Sequence, residues 1–260
     1  KKGFCFIPEV LSNKELINLQ KSLITSLNKS LKKEIFKKLD FKNEIYISDL
    51  MINKKEKNCL KEFYLGLFQR NFDVYSLMCS EKLRLIYSDL GLLNPYINSD
   101  PLTMLHINSS LFSNTFSITN SPWHQDWLSM QGSINSIVLW IPLVDINNKT
   151  GGIHLIESSH KKGLIEAKKD DWFASIDNDS SNVRKGLFVK PNPKAGDALI
   201  FSSLLVHKTL MPQILDTNTV RLTLQFRISD YNCDLLRKNN WHFNYNHCLP
   251  KSNIPPKNKP

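Results

Sequence analysis

The chain lacks the means for a disulfide scaffold, a membrane-spanning helix or a repeat array. Its five cysteines (Cys5, Cys59, Cys79, Cys233 and Cys248) are dispersed and odd in number, with no CxxC pair. They read as reduced thiols, which excludes a disulfide framework and points to a cytoplasmic protein. No apolar run reaches the length of about eighteen residues that a membrane helix needs. The opening GFCFIPEVL is too short, and too soon followed by charge, to read as a signal peptide. Arginine is scarce: only 6 of the 34 basic residues are Arg, although the net charge is +10. Specific phosphate and base recognition favours the arginine fork, so no specific nucleic-acid site is expected. Residues 1–62 hold 14 Lys and 8 acids, +6 of the +10. They read as solvated helical faces. An anionic small substrate is compatible with the charge, which by itself assigns nothing.

What is present is a core. The 260 residues are 41% hydrophobic, and the whole chain, 1–260, reads as one domain. Residues 1–95 read as a mainly helical layer. Ser12 and Glu15 form an S-x-x-E capping box, followed by Leu16, Leu19, Leu23, Leu27 and Leu31 at spacings of three and four. A second helical stretch is expected from about Asn58 to Leu90, stopping near Gly91 and Pro95. From about Pro101 short apolar segments alternate with Asn, Ser, Gly and Pro: LTMLHI, NTFSIT, SIVLWIPLV, GIHLI, GLFVK, DALIF and VRLTLQFRI. Strands at this spacing, with no helices between them, predict an antiparallel sandwich or barrel over 96–248. The polar stretch 161–184 reads as an excursion over the rim, and 249–260 as an irregular tail.

Within that β region, SPWHQDW places His124 and Asp126 two residues apart. In an extended segment they share a face and Gln125 turns away. One imidazole and one carboxylate make half of a metal site. His207, at the end of the apolar strand in AGDALIFSSLLVH, is the candidate for the rest. Two histidines and one carboxylate form the facial triad of non-haem iron(II) oxygenases, which leaves metal positions open. Arg221 opens the strand VRLTLQFRI, where a core-facing guanidinium calls for an anion such as a carboxylate. Arg227 lies six residues further on, so strand parity cannot separate the two. Arg221 is preferred because it sits nearer the strand start, and so nearer the metal. His106 is on a strand approaching the pocket. His154 and His160, and the tryptophans Trp123, Trp127 and Trp140, read as turns and packing.

These blocks, in order, resemble the phytanoyl-CoA dioxygenase family of Fe(II)/2-oxoglutarate-dependent oxygenases. The resemblance rests on GFCFIPEVLSNKEL, PWHQDW, LWIPLVDINNKTGGIHLIESSH, AGDALIFSSLLVH and RLTLQFR. It implies an α+β, β-rich fold: a double-stranded β-helix, jelly-roll or cupin-like, with an N-terminal helical layer. It implies Fe(II) on His124, Asp126 and His207, with 2-oxoglutarate and O2 as cosubstrates and the distal carboxylate on Arg221. Thr209, two residues after the second histidine, and Asn108 are further cosubstrate candidates. Trp127 and Gln131 are candidates for the substrate pocket. The His207–Arg221 gap of fourteen residues is longer than in many relatives. The implied activity is oxidation of a C–H bond of a small molecule, with decarboxylation of 2-oxoglutarate to succinate and CO2. Asp126 favours hydroxylation, because relatives that halogenate carry a small residue there. The competing reading is an inactive β-helix binding module, against which the complete ligand set stands.

Overall fold

The computed structural model describes residues 1–39, 43–48, 52–99, 101–112, 120–169 and 174–238. In chain order they form β1 (Phe4–Ile7), α1 (Asn13–Leu31), β2 (Phe36–Lys38), β3 (Ile45–Ile47), α2 (Lys54–Leu65), α3 (Phe72–Met78) and α4 (Glu81–Asp89). There follow β4 (Pro95–Ile97), β5 (Leu102–Asn108), α5 (Asp126–Met130), β6 (Ile137–Pro142) and β7 (Gly152–Ile156). Next come β8 (Lys168–Lys169), β9 (Ala174–Ser175), α6 (Ser181–Arg184) and β10 (Phe188–Val189). The last are β11 (Ala198–Ser202), β12 (His207–Leu210), β13 (Thr219–Asp230) and α7 (Asp234–Lys238).

Helix α1 forms as its sequence dictates. Ser12 and Glu15 close the capping box, and Leu16, Leu19, Leu23, Leu27 and Leu31 are buried along one stripe. The expected second helix is instead divided. Asn53 caps α2 a few residues before the expected start, and Asn71 and Ser80 each accept a hydrogen bond from a following backbone N–H, so each starts a new helix where a continuous one was expected. The N-terminal layer also contributes strands, since β1 pairs antiparallel with β11 and β3 pairs with β13.

The core is a double-stranded β-helix. The large sheet runs β1-β11-β6-β13-β3-β2, with β4 and β5 also on β13, and the small sheet is β10-β7-β12. Strand β13 is the spine: it pairs with β5 through Thr219–Leu222 and with β6 through Thr223–Ile228. Its alternate residues Arg221, Thr223, Gln225 and Arg227 line one cavity. Within the rim excursion lie the two-residue pair β8–β9 and the single turn α6. The expected strand NTFSIT and the tail 249–260 lie outside the described residues.

Candidate metal centre

His207 opens β12, and His124 lies beside it in an isolated antiparallel bridge. Their backbones form a mutual pair, His124 N–H to His207 C=O at 2.9 Å and the reverse at 3.0 Å. The rings stand 4.2 Å apart, centroid to centroid. Each ring is oriented by a backbone carbonyl two residues earlier: His124 Nδ1 lies 2.7 Å from Pro122 O, and His207 Nδ1 lies 2.9 Å from Leu205 O. A carbonyl only accepts, so both Nδ1 atoms carry the proton and both Nε2 atoms keep a lone pair.

Asp126 reaches the same point by a different route from the one expected. The backbone does not stay extended. Gln125 is an N-cap and Asp126 opens α5, so the carboxylate rises from the first turn of a helix. Oδ1 of Asp126 lies 3.5 Å from His124 Nε2 and 4.0 Å from His207 Nε2. Gln125 turns away as expected, donating to Gly163 O and Leu204 O. The three donor atoms lie within 4.8 Å of one another, and all three residues are buried. Ligands at right angles on bonds of about 2.1 Å stand about 3 Å apart, so a divalent ion fits after a small side-chain adjustment.

Burial alone would raise the Asp126 pKa. The Arg227 guanidinium beside it opposes this and holds it well below the usual carboxylate range. Burial, then the neighbouring His124, pushes His207 down to about 3. Asp126 is therefore a carboxylate and His207 a neutral imidazole, the forms a metal takes.

The triad opens onto a cavity of about 310 Å³ with a mostly apolar wall that includes Leu102, Met104, Met130, Ile153 and Phe201. Arg221 is another wall residue. It is 5% exposed, and its Nη1 donates to Thr150 O at 3.1 Å, Gly152 O at 3.2 Å and Leu210 O at 3.4 Å. Its Nε has no partner, and no carboxylate pairs with it among the described residues. Burial lowers its pKa to about 10, so it stays charged at neutral pH. The glycines of TGG make this cradle. Gly151 has φ +64°, and a Cβ there would sit 2.3 Å from Leu210 O.

Arg227 is the arginine that touches the triad, through Asp126. Proximity to the metal thus belongs to Arg227, and the ground for preferring Arg221 is corrected. Arg221 stands apart because its charge is unanswered. Thr209 lines the cavity with Ser121, their hydroxyls 2.9 Å apart. Asn108 does not line it. Its amide is spent on Lys149 O, Ile214 O, Thr217 Oγ1 and the Asp216 N–H, fastening two loops together. Trp127 and Gln131 also fall outside the lining. Once α5 begins at Asp126, the residues three and four positions on, Ser129 and Met130, share its face. Trp127 Nε1 donates instead to Ser133 O, and Gln131 is an exposed C-cap. His106 is paired across the ladder with Arg221, and burial, then that charge, pushes it down to about 3. Sequence reasoning missed Ser121, Tyr64 and Gln69 in the wall, which carry no motif.

A model described as phytanoyl-CoA dioxygenase (PhyH) matches residues 1–211. The chain belongs to this family. The match ends before Arg221 and Arg227, so the placement of those two arginines rests on geometry alone. Among curated proteins, the chain is similar to the 1-deoxypentalenic acid 11-beta-hydroxylase of Streptomyces arenae, 28% identical over 116 residues. That match spans 42% of this chain and 40% of the relative. Among solved structures it resembles the epimerase SnoN in complex with Fe3+, alpha ketoglutarate and nogalamycin RO, with a TM-score of 0.54 and 15% identity over 88% of this chain and 79% of that one. It also resembles HygX from Streptomyces hygroscopicus with nickel and 2-oxoglutarate bound, with a TM-score of 0.53 and 14% identity over 89% of this chain and 84% of that one. At these identities the two structures establish the fold shared with this PhyH-family chain.

Proposed function

We propose that this PhyH-family chain is an Fe(II)- and 2-oxoglutarate-dependent dioxygenase that oxidises a C–H bond of a small molecule. One observation carries the reading: a buried two-histidine, one-carboxylate cluster shares a cavity with a buried guanidinium that no carboxylate among the described residues answers. In this reading His124, Asp126 and His207 hold the ion, and Arg221 takes the distal carboxylate of 2-oxoglutarate. The Ser121–Thr209 hydroxyl pair stands beside it as a further donor. Bound iron, with O2 and 2-oxoglutarate, supplies oxidising power that no side chain has, with release of succinate and CO2.

The chain's own work is placement. The Pro122 and Leu205 carbonyls hold the imidazoles in the ligating tautomer, and the apolar wall excludes water around one substrate C–H. Asp126 fills the position that halogenating relatives leave small, which favours hydroxylation. Among the described residues lining the cavity, the cation besides Arg221 and Arg227 is Lys208. It alternates with the inward His207 and Thr209, and its Nζ sits 4.7 Å over the Trp123 ring. The wall therefore offers a substrate an apolar surface. The described cysteines are free, which fits a reducing cytoplasm.

The test is direct. Protein supplied with ferrous iron and 2-oxoglutarate is expected to form succinate, and His124→Ala or Asp126→Ala to abolish this. Wild-type protein that binds neither iron nor 2-oxoglutarate would leave the inactive binding module as the answer.

A further inference from the structure

Arg227 has no role in the reading above, yet it grips the proposed carboxylate ligand with two donors. Nε donates to Asp126 Oδ2 at 3.2 Å and Nη2 to Oδ1 at 3.4 Å. Gln225 Oε1 accepts from the same Nη2 at 2.9 Å and steadies the guanidinium plane. Both partners are buried, with side chains 8% and 5% exposed. The two carboxylate oxygens are consequently not equivalent. Oδ1 faces both imidazoles and takes the longer arginine bond, while Oδ2 takes the shorter one.

A free carboxylate binds a divalent ion through one oxygen or through both. Which it does decides how many positions remain for other ligands. We propose that Arg227 is a positioning residue that holds Oδ2 and makes Asp126 meet the metal through Oδ1 alone, keeping one further coordination position clear. To bind through both oxygens, Asp126 would have to break a charge-assisted hydrogen bond in a buried site, which is costly. A point charge would neutralise Asp126 equally well. Only the planar fork fixes its orientation. The inference rests on the metal-site reading of the proposed function.

Co(II) alone is the probe, since its visible absorption reports coordination number and needs no turnover. The full chain is titrated with Co(II), with affinity measured by equilibrium dialysis. Arg227→Lys keeps the charge and loses the fork, and Arg227→Gln loses both. Each is expected to bind Co(II) about 10- to 100-fold more weakly, with an absorption spectrum changed from that of the wild type. Arg227→Lys with wild-type affinity and spectrum overturns the inference while leaving the metal site in place. No Co(II) binding by the wild type overturns the metal-site reading and the inference with it. Should the variants fail to fold, X-ray absorption or a crystal structure of the Co(II)-loaded wild type decides: one Asp126 oxygen on the metal supports positioning by Arg227, and two overturn it.

Discussion

Replacing Arg221 by Met separates binding from stability in a way that tests the cosubstrate site. The guanidinium is 5% exposed, its Nη1 is shared among three carbonyls, and among the described residues its Nε has no partner and no anion answers it. Burying an unpaired cation costs several kcal/mol, and hydrogen bonds from a charged donor return about 1.5–3 kcal/mol each, so the two nearly cancel without ligand. Methionine relieves the first and forfeits the second. The net change should lie within about 1 kcal/mol, or about 4 °C in melting temperature. With 2-oxoglutarate the balance shifts, because removing one partner of a buried, hydrogen-bonded charge pair costs about 2–3 kcal/mol or more. KM for 2-oxoglutarate should then rise about 30- to 150-fold. At saturating cosubstrate, kcat should stay within about threefold, because the distal carboxylate is remote from the reacting atoms. Steady-state succinate formation against 2-oxoglutarate concentration, beside thermal melts, makes the measurement. A KM within about threefold of wild type, on protein that melts normally, would refute the assignment of Arg221 to the cosubstrate.

Asn108→Ala should act on stability alone. Losing its bonds to Lys149 O, Ile214 O and the Asp216 N–H costs about 3 kcal/mol, or about 9 °C, with KM for 2-oxoglutarate unchanged; the reverse pattern would return Asn108 to the cavity. Glu15 should make the N-terminal layer acid-sensitive. The hydrogen bond from Lys82, against a smaller opposing effect of burial, lowers its pKa from 4.5 to about 2, so its contribution is present above about pH 4.5 and is lost as pH falls towards 2. Both partners are about two-fifths exposed, which limits the contribution to about 0.5 kcal/mol. Glu15→Gln should thus melt about 2 °C lower at pH 7, with the gap closing on acidification; a gap that persists at pH 2 would rule out the ionic origin.

Several features were legible in the chain for local reasons. The capping box and the leucine stripe of α1 needed only spacing. The β-rich core followed from short apolar segments at regular intervals. His124, Asp126 and His207 stood out because an HxD pair and a later histidine at the end of an apolar strand make a facial triad and fall on the family's pattern. The division of 58–90 into separate helices was missed because Asn71 and Ser80 look like ordinary polar positions until their side chains are seen capping. Trp127 and Gln131 were named only for following His124 and Asp126 in the chain; the helix that opens at Asp126 turns Ser129 and Met130 to the cavity instead.

The sequence by itself determined the family, the fold class and the three side chains that meet, since these depend on residue types and their order. Only the tertiary structure separated Arg221 from Arg227. They share a strand and a parity, and what differs is the partner each finds: a carboxylate carried in on α5 for Arg227, and the carbonyls of Thr150, Gly152 and Leu210 for Arg221. Asn108 was decided in the same way, by loops distant in the chain that take up its amide. Contacts between residues about a hundred positions apart leave no trace in local spacing, and they decide which buried charge is already answered and which awaits a ligand.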